Sequence, residues 1–273
     1  MMSRVVGVIV ITLFITVFSL VIALGGLGYV LPPESVRELA RQYLLIAYNP
    51  FNKTFTVFSP EVVTSIVWDF RGLDTLFETV VFYLAIIGSV ALARGFKSSK
   101  PEKDISQYGL SPIVKTVTRV TVGMILAVAA SIALHGHLTP GGGFQGGATA
   151  AVVPLLVLVI FSRYYLETRG VSKNAMLAIR SFGLIGIGLT AFIVLIIGLM
   201  SGMNAYVFQN QPKPDAPVGL PALFDGQIIS GTLWFFNLFE MFAVAAGFTI
   251  VFLLLSIPER DVFKYLKEEG GEY

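Results

Sequence analysis

Six runs of this chain are apolar and long enough to cross a bilayer, and nothing else in the sequence restricts the fold as much. They fall at residues 5–30, 73–93, 116–134, 144–164, 176–200 and 232–257. A crossing takes about 20 apolar residues. Lipid offers the backbone no hydrogen-bond partners, so each run must be a helix that satisfies its own amides. Hydrophobic residues make up 55% of the chain and charged residues only 13%, about half the charged share of a soluble domain. The expected fold is all-α: a polytopic membrane protein of about six transmembrane helices. The first run follows Arg4 like a signal peptide, but it exceeds the apolar core of about 7 to 15 residues such peptides carry. It reads as a retained span.

Composition also excludes several classes. A net charge of +2 is too small to argue for a nucleic-acid partner. Without cysteine the chain holds no disulfide, iron–sulfur cluster or thiolate metal site. Two histidines do not make a self-contained zinc site. Nothing resembles a nucleotide-binding or hydrolase fingerprint. No resident metal or cofactor is expected.

Basic residues set the orientation. The second connection carries Arg94, Lys97, Lys100, Lys103, Lys115 and Arg119. The fourth carries Arg163, Arg169, Lys173 and Arg180, and the tail Arg260, Lys264 and Lys267. The third has neither Lys nor Arg, and the fifth only Lys213. Both termini are therefore expected in the cytoplasm of a cell-membrane protein. Within the first connection, Val36, Leu39, Ala40, Tyr43, Leu44 and Ala47 recur at helical spacing between Pro33 and Asn49-Pro50. This predicts an amphipathic helix on the outer surface or on a partner subunit. Asn52-Lys53-Thr54 is a glycosylation sequon of a kind common by chance. Pro212, Pro214, Pro217 and Pro221 predict an extended strap.

Residues 136–147, Gly-His-Leu-Thr-Pro-Gly-Gly-Gly-Phe-Gln-Gly-Gly, form the most unusual stretch. Each glycine costs a helix about 1 kcal/mol relative to alanine, so this block predicts a compact outer turn between the third and fourth spans. Gly141, Gly142, Gly143, Gly146 and Gly147 shape it. Gln145 opens the fourth span and can close the turn by hydrogen bonding. His137, and less so His135, could pass protons near neutral pH, although such histidines more often hold tight loops together. Gly183, Gly186 and Gly188 predict close helix packing, and Pro154 a kink.

Charges inside spans are costly and usually face a partner or water. Asp74 and Glu78 share one helix face. Two like charges there suit the binding of a proton or a transient sodium ion. Asp69 and Arg71 also fit a plain ion-pair cluster at the interface. Asn237 and Glu240 form a second polar face in the last span, read as part of the ion path or as helix–helix glue. Lys115 and Arg119 anchor the third span, and Arg119 is deep enough to pair with a neighbour's carboxylate.

From about residue 112 to 257 the chain resembles the B subunit of the Mrp (Mnh) type cation/proton antiporters. The resemblance rests on His135-Gly136-His137, Pro140-Gly141-Gly142-Gly143-Phe144, Gly146-Gly147, Ser230-Gly231 and the Asn237…Glu240…Ala246-Gly247 pattern. Leu138, Gln145 and the stretch between Gly231 and Asn237 depart from the family's usual form. Asp69-Phe-Arg-Gly-Leu-Asp-Thr-Leu-Phe-Glu78 is similar to the C-terminal part of the A subunit of the same antiporters, where the carboxylate matching Glu78 is implicated in ion transport. The separation of this A-subunit tail from its large antiporter core is similar to the arrangement in archaeal membrane-bound hydrogenases and the related sulfane-sulfur reductases.

Five segments are expected: a first span plus outer helix (1–60) as an accessory extension, an A-subunit-like segment (61–96), a polar linker containing Pro101 (97–111), a four-helix B-subunit-like domain (112–258) and a cytoplasmic tail (259–273). The resemblance implies a membrane subunit of a sodium/proton antiporter module, not an enzyme by itself. The expected partners are other Mrp-like membrane subunits and a hydrogenase-like redox arm. Asp74, Glu78, Glu240 and His137 would carry the ion, supported by Asp69, Arg71, Lys115, Arg119, Gln145 and Asn237. Two other readings are a structural spacer without an ion path and a subunit of a plain Mrp antiporter. A stand-alone transporter would favour inverted repeats, and none is visible.

Overall fold

The computed structural model describes residues 2–26, 36–52, 55–96 and 104–269. The chain divides into two units, residues 1–43 and 44–273. The first contains α1 (Met2–Ala23) and the start of α2 (Glu38–Ala47). Helix α1 is apolar over most of its surface, with Thr12, Thr16 and Ser19 along one face, and the Thr16 hydroxyl donates to Thr12 O at 2.8 Å. The expected first span continued to residue 30, but the helix ends at Ala23 and a turn follows through Gly26. Residues 27–30 lie outside the described residues, as do Pro33, Glu34, Lys53 and Thr54 of the predicted surface helix and sequon. Asn49 Oδ1 accepts from the amides of Phe51 and Asn52, both at 3.1 Å, which turns the chain after α2.

The second unit holds the remaining long helices: α4 (Gly72–Leu92), α5 (Pro112–Leu134), α6 (Gly143–Ile160), α8 (Lys173–Ser201) and α9 (Thr232–Leu255). With α1 they make six helices long and apolar enough to cross a membrane. Among the described residues there are also short helices α3 (Val62–Ser65), α7 (Arg163–Thr168) and α10 (Glu259–Glu269), a π-helical turn at Ile66–Phe70 and a 3-10 turn at Ile105–Gln107. Helix α9 is central. It packs on α8, α6, α4 and α5, and α5 packs on α6.

Small residues set these approaches. A Cβ at Gly147 would lie 2.7 Å from Met241 O on α9, and one at Gly183 would lie 2.6 Å from Phe239 O. Gly186 abuts the Phe239 ring, whereas a Cβ at Gly188 would meet nothing. Helix α6 continues through Pro154 to Ile160 rather than residue 164. The Ser162 hydroxyl then caps α7 by accepting from Tyr165 N at 3.1 Å.

The proline-rich connection is not the extended strap its composition suggests. Lys213 and Ala216 form a tight bridge, and Gln209 Nε2 donates to Ala216 O at 2.8 Å and Val218 O at 2.6 Å. A hairpin follows, β1 (Leu223–Phe224) against β2 (Gln227–Ile228). Asp225 and Gly226 turn it with φ of 47° and 75°, the backbone a two-residue hairpin loop needs. Below this cap, Trp68 stacks on Phe236 with ring centroids 4.4 Å apart. Val57, Ile187, Ala191 and Leu233 close the core around them.

Candidate functional site

The glycine block builds one end of the bundle. Helix α5 ends at Leu134, and 135–140 turn back before α6 begins at Gly143. The residue before α6 is Gly142, at φ 131°, a conformation that a side chain would oppose. Having no side chain, it cannot cap the helix, and α9 supplies the cap instead. Asn237 Oδ1 accepts from Gly143 N at 3.2 Å. The Glu240 carboxylate accepts from the Phe144 amide and from the Trp68 indole. A carboxylate at a helix N-terminus is stabilised by the exposed amides and the helix dipole. The three-residue spacing of Asn237 and Glu240 thus matches the first turn of α6. Gly143 must lack a side chain, because a Cβ would overlap Asn237 O and lie 2.6 Å from Glu240 Cβ.

This junction opens into a cavity of about 210 Å³. Glu78 enters from α4, Thr64 and Trp68 from the short helices below, and Asn237 and Glu240 from α9, with Gly141 to Gln145 forming one wall. Glu240 is 8% exposed, and its carboxylate is close enough to Glu78 for the two to repel. Asn237 is fully buried, and its Nδ2 has no protein partner. The cavity is enclosed on the Asn237 and Glu240 side and open at Glu78 and Gln145; its free amide donor suits water, and its two carboxylates suit a small cation.

The other sequence candidates lie elsewhere. Asp74 shares the face of Glu78 but pairs with Arg71 at the surface, with Arg71 Nε to Asp74 Oδ2 at 2.6 Å. Asp69 is not part of that pair. Its Oδ2 is buried without a protein partner, and burial raises its carboxyl pKa to about 6 against the opposing pull of Lys213. Gln145 is exposed and lines the cavity wall. Lys115 and Arg119 sit at the opposite end of α5, over the Phe161 ring at 5.9 and 5.7 Å. They border a separate pocket of about 460 Å³. Lys115 Nζ also donates to Tyr108 O at 2.6 Å.

His137 is buried beside the cavity and does not line it. Its Nε2 lies 2.8 Å from Ile228 O. A carbonyl only accepts, so Nε2 carries the proton and Nδ1 is the bare nitrogen. Burial pushes the pKa down, ahead of the raising effect of that hydrogen bond. His137 O accepts from Ser59 Oγ at 2.7 Å and from Glu61 N at 3.1 Å. The residue staples the turn to the 55–61 loop and the hairpin. His135 is exposed, with Nδ1 3.0 Å from Ser131 O.

Thr64, Trp68 and Thr75 join the cavity without having been singled out in the sequence, as they carry no charge and no motif. Arg180, which its place in the sequence groups with the basic loop residues, is completely buried within α8.

A family model described as a domain related to the MnhB subunit of the Na+/H+ antiporter matches residues 113–250. The chain belongs to this MnhB-related family. An uncharacterized protein of Methanocaldococcus jannaschii is 26% identical, over 77% of this chain and 82% of that one. Among solved structures, a chain of the membrane-bound sulfane sulfur reductase, an archaeal respiratory membrane complex, superposes with a TM-score of 0.57. It is 25% identical, and the match covers 94% of this chain and 97% of that one. A chain of the Mrp complex from a Dietzia species superposes with a TM-score of 0.56 at 19% identity. That match covers 91% of this chain and 26% of the other, and it reports the fold alone. This MnhB-related chain is a multi-pass membrane protein, and its structural neighbours come from multi-subunit membrane complexes.

Proposed function

We propose that this chain is a membrane subunit of an Mrp-like sodium/proton antiporter module within a redox-driven ion-pumping complex. The observation that carries the reading is the meeting of Glu78 and Glu240 in one cavity at the glycine turn. Intramembrane carboxylates are expensive and mark ion paths. Here two of them, from helices far apart in sequence, face the same small volume. Glu78 is exposed on the chain's surface, available to a neighbouring subunit. Glu240 is held inside by Trp68 and Phe144. A proton or transient sodium ion would pass between partner and cavity through Glu78, with Glu240 as the inner site. Asp74, tied to Arg71, supports the entrance.

Partners of this kind would be other Mrp-like membrane subunits, joined by a hydrogenase-like or sulfur-reducing arm that supplies the energy. The chain by itself would catalyse no reaction. Both termini would lie in the cytoplasm and the glycine turn on the outer side. The decisive experiment is Glu78→Gln in the intact complex, with sodium and proton transport measured after reconstitution. A loss of at least tenfold in transport with normal assembly supports the reading. Normal transport removes Glu78 from the mechanism.

A specific observation favours a second, structural reading. Glu240 and Asn237 cap α6 from outside, a role that requires no ion. Under that reading Glu240→Gln, which preserves hydrogen-bond acceptance, leaves transport intact.

A further inference from the structure

Arg180 occupies a place where a cation is difficult to keep. It lies on α8, seven residues after Lys173, and its exposure is 0%. Nη1 donates to Ala243 O at 2.8 Å. Nε and Nη2 are buried and have no protein partner. The guanidinium lies 4.6 Å from the Phe82 ring centroid and 5.6 Å from that of Tyr83. Gly247 leaves the space, since a Cβ there would overlap Nη1. Aromatic faces attract a guanidinium, but a buried charge without a counter-ion remains costly.

Within this chain, a compensating charge can come only from the helices packed around it. Helix α8 carries no acid, α9 carries only Glu240, and α4 carries Asp74 and Glu78. Asp74 is already paired with Arg71. Glu78 lies one helical turn before Phe82 on α4. Glu240 lies seven residues before Gly247 on α9, about 10 Å at the helical rise of about 1.5 Å per residue. The guanidinium therefore lies along the α4–α9 seam, about two turns from the cavity. No nearer carboxylate exists on these elements.

We propose that Arg180 is a positioning residue, the fixed counter-cation of the Glu78–Glu240 cavity. When both carboxylates are ionised, they and this one cation carry a single net negative charge, which one mobile monovalent cation at a time, a proton or a sodium ion, would balance. The inference rests on the ion-site reading of the cavity. Taking that helical spacing of about 10 Å as the charge separation, with an effective dielectric of about 20, one unit charge changes the affinity for a mobile cation on the order of tenfold. Arg180 keeps the ion from binding so tightly that it cannot leave.

The test uses the whole complex, isolated through a tag on this chain and reconstituted into vesicles, with transport titrated against sodium and against protons. Arg180→Met and Arg180→Gln remove the charge. Methionine leaves no orphan donors, and replacing a buried ion with an apolar side chain is often tolerated. Arg180→Lys keeps the charge. Both neutral variants are expected to lower the KM for the transported cation on the order of tenfold and to slow maximal transport. Arg180→Lys is expected to stay within about twofold of the parent, because its charge is unchanged. An unchanged KM in an assembled neutral variant overturns the proposal. So does an Arg180→Lys complex that matches Arg180→Met, since packing would then be the cause. Glu78→Gln and Glu240→Gln in the same preparation separate the two levels. If neither affects transport, the ion site is absent and the proposal falls with it. If either abolishes transport while the neutral Arg180 variants keep the parental KM, only the counter-ion assignment is overturned.

Discussion

The two ends of the helical bundle place similar polar residues in opposite surroundings. At the glycine-turn end, Asn210, Ser230, Asn237 and His137 are buried and joined across distant segments. Asn210 alone donates to Val57 O at 3.0 Å and accepts from Thr232 N at 2.9 Å, and Ser230 Oγ donates to Phe58 O at 2.7 Å. At the opposite end, Arg119 and Arg169 are exposed and rest on the rings of Phe161 and Tyr165. A buried polar group is costly when it loses its partner, whereas an exposed cation simply returns to water. The glycine-turn end should therefore tolerate little change, and the opposite end much more.

Removing the stacked centre of the netted end should have the largest effect. Trp68→Ala takes away the ring facing Phe236 and the indole donor to Glu240. A loss of about 3–5 kcal/mol is expected, read as a lower melting temperature of the purified complex or as failed assembly. A Trp68→Ala protein that melts like the parent would break the contrast between the ends.

Acidity provides the next test. The Asp69 pKa is raised to about 6 because burial disfavours its charged form. The folded state therefore holds this proton more tightly than the unfolded chain. The associated stability is full below about pH 4 and is lost as pH rises through about 6, at most about 3 kcal/mol. Asp69→Asn should flatten that part of a melting-temperature profile measured from pH 4 to 8. An unchanged slope would mean that Asp69 is more hydrated than its position indicates.

Gly143→Ala ranks third, at about 1–3 kcal/mol. The added carbon must displace Asn237 and Glu240, so limited proteolysis at the 136–147 turn should quicken. Arg119→Ala, at the tolerant end, should shift stability by no more than about 0.5 kcal/mol. A larger loss would show that its stacking on Phe161 holds the start of α5.

Much of this architecture was legible along the sequence. Apolar runs long enough for a membrane fixed the all-helical class, because hydropathy and length act locally. The glycine block announced a turn for the same reason, since backbone freedom belongs to each residue. The proline-rich connection misled. Prolines argue for extension only when nothing else holds the chain, and here Gln209 gathers the loop through its side-chain amide.

The contents of the site were decided by tertiary structure. Sequence spacing placed Asp74 and Glu78 on one face, yet Asp74 turned to Arg71 at the surface and Glu78 to a cavity shared with Glu240. It marked Asn237 and Glu240 as a polar face without revealing that they cap a different helix. It counted Arg180 among the basic loop residues, while packing enclosed it between aromatic rings and Gly247. Hydropathy tells a helix to cross the membrane but not how far to rotate about its own axis. That rotation follows from which small residues let neighbouring backbones approach, and it selects which charges meet.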